Sequence, residues 1–221
     1  MYKILLLTGF TKNVFWENYG DCDYGKLCAK NHLNYSLKHG YTFHCEIIQE
    51  FLTDRNQTWH KIYLIKKYLQ NYDYIAWIDA DAVFINDDIK LEDFIDTNID
   101  LVLPKMQIDK TTGLQLTKTS TGFMIWKNCD WSLNLLNDMW NNLGDYAYGY
   151  FHEQSLLDEK ILIEKESIFV PLNNVKIISE KYHNTHSDLL SEFIYHAGGN
   201  TFTKFSRIKD ELNKILKNQN E

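Results

Sequence analysis

An α/β fold in a single domain, with a mostly parallel central sheet and flanking helices, follows from three features of the sequence. Short, apolar, β-rich runs alternate with longer stretches of helical character through the first half of the chain. One of these runs, Tyr74 to Ile78, ends abruptly in Asp79-Ala80-Asp81, as a buried strand does at a sheet's carboxyl edge. The chain has 221 residues, 44% of them hydrophobic, which is enough for a sizeable core, and its two prolines and ten glycines leave no room for a flexible linker.

Lys3 to Leu7 is a short aliphatic run, and Thr8-Gly9 marks the turn at its carboxyl end. Thr11 to Asp23 is polar and aromatic. Tyr24 to His39 has helical character and lacks Pro and Gly apart from Gly25, with Gly40 where a C-terminal cap glycine belongs. Tyr41 to Ile48 is β-rich. Thr58 is expected to cap a helix running to about Gln70, with Ile62, Ile65 and Leu69 on one face. With the strand at Tyr74 to Ile78, the order becomes β-α-β-α-β, that of one half of a doubly wound nucleotide-binding sheet, and residues 1–86 are assigned to that half.

Residues 87–221 are expected to form the other half, with a C-terminal helix. A second apolar run covers Ala82 to Ile85, a short helix Leu91 to Asp96, and a strand Leu101 to Pro104. Lys105 to Lys118 is polar and reads as a loop or hairpin over the site, turning at Thr111-Thr112-Gly113. Phe123 to Trp126 is strand-like, and Trp131 to Trp140 forms an amphipathic helix entered through Asn128 to Asp130. The Gly- and Tyr-rich segment Gly144 to Tyr150 leads into His152-Glu153-Gln154 and an apolar-periodic run, Ser155 to Ile163. Ile168 to Val170 and Val175 to Ile178 are short strands. The polar stretch Ser179 to Ser187 precedes Phe193-Ile194-Tyr195 and then His196-Ala197-Gly198-Gly199, and Phe205 to Leu216 is a basic amphipathic helix.

Net charge and targeting signals narrow the function. A formal net charge of -7 argues against nucleic acid as a partner, since phosphate-backbone binding needs clustered Lys and Arg. No apolar run approaches a membrane span, and Ile4 to Leu7 is too short for a signal peptide. The cysteines Cys22, Cys28, Cys45 and Cys129 lack metal-type spacing, so a reduced, cytoplasmic setting is expected and the sequons at Asn34 and Asn56 read as chance matches. Asp79 and Asp81 flank a single residue, so both carboxylates can approach one hard divalent cation, magnesium or manganese, which in turn can hold a diphosphate. The same triplet is also common in solvated turns. Its place after a buried strand favours the metal site.

Several motifs in order resemble a known family: Leu7-Thr8-Gly9, Asn31 to Tyr35 with His39-Gly40-Tyr41, Lys61, Trp77 to Ala82, Thr121-Gly122 with Lys127-Asn128 and Trp131-Ser132, Glu153-Gln154-Ser155, and His196 to Gly199. The chain resembles the retaining GT-A (Rossmann-like) glycosyltransferases that include fungal galactosyl- and mannosyltransferases and plant xyloglucan xylosyltransferases. The resemblance runs from Lys3 to about His196.

It implies a manganese-dependent (or magnesium-dependent) transferase acting on a nucleotide-sugar donor, UDP-sugars ahead of GDP-mannose, and on a glycan acceptor. Asp79 and Asp81 would hold the metal, with His196 completing the shell. Thr8, Gly9, Lys61, Ala80, Ser120, Thr121, Gly122, Gly199 and Lys204 would lie along the donor, and Gln154 and Glu153 are the catalytic candidates beside the sugar. The alternatives are core packing for His196, a helix-dipole role for Glu153 and solvation for Lys61.

The chain departs from the family pattern at three places. Ser120 stands where the family has Asn, His152-Glu153 where it has two aspartates, and Lys204 follows the glycines later than the family's lysine. The family's Golgi anchor is not expected here, as in a bacterial or viral member. Two other readings compete: a nucleotide-sugar or glycan-binding module without turnover, and a haloacid-dehalogenase-like phosphatase with Asp79 as nucleophile.

Overall fold

The computed structural model describes residues 2–11, 24–106, 117–149, 151–165, 168–184, 191–197 and 201–218, with only the backbone described at 11, 184, 201–205 and 216–218. A six-stranded sheet runs in the order β2-β1-β3-β6-β5-β9. Its strands are β1 (Ile4–Thr11), β2 (Thr42–Ile48), β3 (Tyr74–Ile78), β5 (Leu101–Pro104), β6 (Phe123–Lys127) and β9 (Val175–Ile178). The junctions β2-β1, β1-β3 and β5-β9 are parallel, while β6 runs antiparallel to both of its neighbours. A smaller sheet holds β10 (His183–Asn184), β11 (Ile194–His196) and β4 (Ala82–Phe84).

The alternation along the central strands explains the layers. Ile75 and Trp77 of β3 join Leu5, Leu7, Met124 and Trp126 on one face, against α2 (His60–Leu69), α3 (Asp130–Asn141) and α4 (His152–Ile161). Tyr74, Ala76 and Ile78 join Ile4, Leu6, Phe123 and Ile125 on the other, against Tyr35 of α1 (Tyr24–His39) and the aromatic rings of Phe84, Phe94 and Phe193. Every residue of β3 is buried, which a strand covered on both faces requires. Each such large apolar side chain contributes about 1.5–3 kcal/mol. The last helix, α5 (Thr201–Asn218), packs Ile208 against Val83, Tyr195 and Cys28.

Most element boundaries match those read from sequence. Gly40 adopts φ +73, and Tyr41 N–H donates to the carbonyl of Ser36 at 2.9 Å, a Schellman closure of α1. Three expectations are corrected. Thr8-Gly9 is not a turn but part of β1, which runs on to Thr11 with Thr8 opposite Cys45 and Gly9 opposite Glu46. Asn56, not Thr58, caps the entry to α2: its side chain accepts from the Thr58 N–H at 3.0 Å and opens a 3-10 turn at Gln57–Trp59 before the helix proper. The apolar-periodic run after Gln154 is not one helix, because α4 ends at Ile161 and the chain becomes β7 (Leu162–Lys165), paired antiparallel with β8 (Ile168–Pro171). The hairpin partner, rather than the local pattern, decides that boundary.

Candidate active site

Strand direction brings four distant segments to the carboxyl end of β3. Because β6 is antiparallel to β3, with Ile78 opposite Phe123, its entry residues Thr121 and Gly122 arrive beside Asp79, whose N–H donates to the Gly122 carbonyl at 2.9 Å. The chain then turns through Ala80 and Asp81 into β4, with Ala82 N–H closing on the Asp79 carbonyl at 3.1 Å. Strand β11 pairs antiparallel with β4 and sets His196 opposite Ala82, and Ala197 N–H donates to the Asp81 carbonyl at 2.9 Å. The first turns of α2 and α4 supply Lys61, Glu153 and Gln154.

Ligand atoms of Asp79, Asp81 and His196 all lie within 4.8 Å of one another. His196 Nε2 lies 2.9 Å from Asp81 Oδ1 and 3.9 Å from Asp79 Oδ2. Two carboxylates and an imidazole make a donor set suited to manganese or magnesium, and their convergence fits one divalent ion. Trp77, read from sequence as core alone, also donates its Nε1–H to Asp79 Oδ1 at 2.6 Å and so orients that carboxylate.

Lys61 joins the acidic group to the catalytic candidates. Its Nζ is 3.0 Å from Asp79 Oδ1 and 3.0 Å from Glu153 Oε1, and it donates to the Thr121 carbonyl and Oγ1, each at 3.1 Å. Burial alone lowers the Lys61 pKa, but Asp79 and Glu153 outweigh it and hold the ammonium charged, well above its ordinary range. Burial likewise raises that of Glu153, and the Lys61 charge outweighs it, leaving the carboxyl below its ordinary value. Neither residue is solvated, so the alternative of a surface lysine falls, and Glu153 does more than face a helix dipole.

Thr121 and Gln154 complete the network. Thr121 Oγ1 donates to Glu153 Oε1 at 3.1 Å or to Gln154 Oε1 at 3.3 Å, and Thr121 N–H donates to Gln154 Oε1 at 2.9 Å. Gln154 Nε2 donates to Thr117 Oγ1 at 2.7 Å. Gln154 thus ties α4 to both sides of the bend at Ser120, whose Oγ accepts from the Gly122 N–H at 3.3 Å. The backbone entering α4 is unusual: Phe151 and His152, both with side chains, have φ +56 and +42. Positive φ at such residues costs about 1–3 kcal/mol each and clusters at functional sites.

The remaining sequence candidates are less closely joined. Thr8 is fully buried, and its hydroxyl has no hydrogen-bond partner among the described residues. Gly9 is needed for packing, since a Cβ there would meet Leu64 Cδ1 at 2.9 Å and the Glu46 carbonyl at 3.3 Å. Gly199 lies outside the described residues, and Lys204 lies in α5 with its side chain outside them. Residues 107–116 of the expected covering loop are likewise outside, although its ends meet: Lys105 bridges Thr119, and Met106 N–H donates to the Lys118 carbonyl at 2.9 Å. One site residue was missed from sequence, the fully buried His183 of β10, whose ring centroid is 5.0 Å from that of His196. It carries no motif, and only the pairing of β10 with β11 brings it there.

The fold is similar to that of glycosyltransferases of known structure. One, a glycosyltransferase involved in glycosylation of the major capsid of PBCV-1, superposes with a TM-score of 0.69 over 94% of this chain and 99% of that one, at 14% identity. The fold is the GT-A fold. The galactosyltransferase LgtC, solved with donor and acceptor sugar analogs, superposes with a TM-score of 0.58 over 95% of each chain, at 11% identity. The family resemblance is borne out in sequence: residues 2–109 match the profile of the galactosyl transferase GMA12/MNN10 family. A probable xyloglucan 6-xylosyltransferase 3 of Arabidopsis thaliana is 29% identical over 151 residues, 64% of this chain and 31% of that protein. The match spans about a third of the length of the first curated relatives. Among the described residues of this GT-A chain, no helix is long and apolar enough to cross a membrane.

Proposed function

We propose that this GT-A chain is a metal-dependent retaining glycosyltransferase, moving galactose, glucose or xylose from a UDP-sugar to a glycan hydroxyl. The observation that carries this reading is the convergence of Asp79, Asp81 and His196 at the end of β3, joined through Lys61 to Glu153. Asp79, Asp81 and His196 would hold manganese or magnesium, which when bound supplies Lewis acidity and a template for the diphosphate.

As the bond to the diphosphate breaks, negative charge grows on the leaving group and positive charge on the sugar. Lys61 places an ammonium beside the leaving group, fixed in advance by its five oxygen contacts. Glu153, held ionised by that lysine, sets negative charge on the sugar side. Its Oε2 has no hydrogen-bond partner among the described residues. Gln154 keeps the bend from Thr117 to Thr121 in place against the donor. Ser120, Thr121 and Gly122 then line the donor, with Thr8 and Gly9 on the nucleoside side; Gly199 and Lys204, the remaining donor candidates, lie outside the residues and side chains described.

The test is release of free nucleotide from a panel of UDP- and GDP-sugars, with manganese and then with chelator. Slow hydrolysis of one UDP-sugar, lost on chelation, is the expected result. No cleavage of any donor, with no metal-dependent binding of a UDP-sugar by calorimetry, overturns the proposal. Metal-dependent binding without turnover, even with glycan acceptors supplied, makes the chain a binding module.

A further inference from the structure

We propose that His183 is a positioning residue for the metal site: its Nε2 accepts, through one bridging water, the hydrogen bond donated by Nδ1–H of His196. The inference rests on the reading of His196 as a metal ligand. A histidine that ligates through one ring nitrogen ordinarily presents the other, protonated, to an acceptor that fixes its tautomer and ring orientation.

The geometry that supplies the acceptor centres on Gly122. A Cβ built on Gly122 would lie 2.6 Å from His196 Nδ1 and 2.9 Å from His183 Nε2. Both nitrogens therefore border the same small space, and their separation cannot exceed the sum of those two lengths. No direct hydrogen bond joins them, and one bridging water covers that span. On its other edge His196 turns Nε2 toward Asp81 and Asp79, the side on which an ion would sit. The two edges of the ring are thus divided, Nε2 to the carboxylates and Nδ1 to His183.

His183 is otherwise unexplained. It is buried, and among the described residues neither of its ring nitrogens has a hydrogen-bond partner. Leaving a buried polar group unsatisfied is costly, so a core position would favour an apolar side chain unless the ring serves a neighbour. A neutral imidazole keeps one ring nitrogen able to accept, and His183 Nε2 is unpartnered among the described residues. Gly122 is then required for a reason apart from any donor contact, because any side chain there would fill the space between the two rings.

The experiment is manganese titration followed by electron paramagnetic resonance, with no donor or acceptor present, on the wild-type chain and on His183→Leu and His183→Gln. His183→Leu is expected to weaken manganese binding about 10–100-fold. His183→Gln, whose amide oxygen can accept the same bond, should recover most of it. Equal affinity in all three proteins, or an equal loss in both variants, overturns the inference while leaving the metal site standing. If the wild-type chain binds no manganese, the metal reading fails and this inference fails with it. Should His183→Leu not fold, nitrogen-15 NMR of the zinc-loaded wild-type protein decides: Nδ1 protonated on His196 and Nε2 bare on His183 support the proposal, and a proton on His183 Nε2 overturns it.

Discussion

Replacing Lys61 with Met tests whether one buried ammonium holds the site together. Its side chain is 7% exposed and that of Glu153 is 5% exposed, while Asp79 is 23% exposed. At 3.0 Å each charge pair attracts by about 5 kcal/mol at an effective dielectric near 20, most of which only offsets the desolvation of the ions. Met keeps the apolar stem and removes the charge, leaving Glu153 buried without a counter-ion. Breaking such a pair costs about 3–5 kcal/mol, a large share of a domain's total stability.

The loss should depend on pH in a defined direction. In the wild-type chain the folded pKa of Glu153 lies below its ordinary value of 4.5, so its contribution is present above pH 4.5 and is lost as pH falls through the folded value. Without Lys61 only the burial that raises the Glu153 pKa remains, and the penalty is relieved once the carboxyl protonates. Lys61 itself has a folded pKa above 10.5, so its own contribution is constant from neutral to acid. The gap between wild type and Lys61→Met is therefore widest near pH 7 and narrows toward pH 4. Urea unfolding followed by circular dichroism at both pH values measures it. The double variant Lys61→Met/Glu153→Gln should regain at least half of the loss at pH 7. A single variant within about 1 kcal/mol of wild type at pH 7, or a double variant no more stable than the single, would refute the account.

Three further outcomes are expected. Asp81→Asn should abolish metal-dependent binding of a UDP-sugar in calorimetry while changing the unfolding midpoint little, and normal turnover in that variant would mean that the metal site is misplaced. Gln154→Ala should lower kcat more than it weakens donor binding, because it frees the bend around Thr121 that faces the reacting centre; an unchanged kcat removes Gln154 from that role. Gly40→Ala should cost about 1 kcal/mol through backbone strain alone, since φ is +73 and no heavy atom lies within 4 Å of the added Cβ, and turnover should be unaffected.

Legibility from sequence followed the range of the interactions. Strand β3 and the Asp79-Ala80-Asp81 turn were readable because a strand buried on both faces is written as an unbroken apolar run, and its end as an abrupt change to acid. The Gly40 cap was readable because only local backbone geometry decides it. The strand β7 was not, since Leu162 to Lys165 become a strand only by pairing with β8. Trp77 and His183 show the same limit inside the site. A tryptophan in a buried strand reads as core, and nothing nearby in sequence says that its indole N–H reaches Asp79. His183 lies 13 residues from His196 along the chain, and only the parallel pairing of β10 with β11 sets the rings together.

The charges at the site also explain why the fold tolerates so polar a cluster beside its core. Asp79, Asp81 and Glu153 are three carboxylates within one connected network, and among the described residues Lys61 bridges Asp79 and Glu153. Asp79 and Asp81 sit at the partly exposed end, while the pair Lys61 and Glu153 lies in the interior, so carboxylate density rises toward the solvent edge. That gradient is what a divalent cation entering from solvent would neutralise, and it needs no further change inside. It also separates the two variants argued above. Loss of Lys61 exposes an imbalance in the interior and is paid in stability, whereas loss of Asp81 removes charge at the solvent edge and falls on ligand binding. If instead Asp81→Asn unfolded the chain while Lys61→Met left it stable, the division of this network into a structural interior and a ligand-facing edge would have to be reversed.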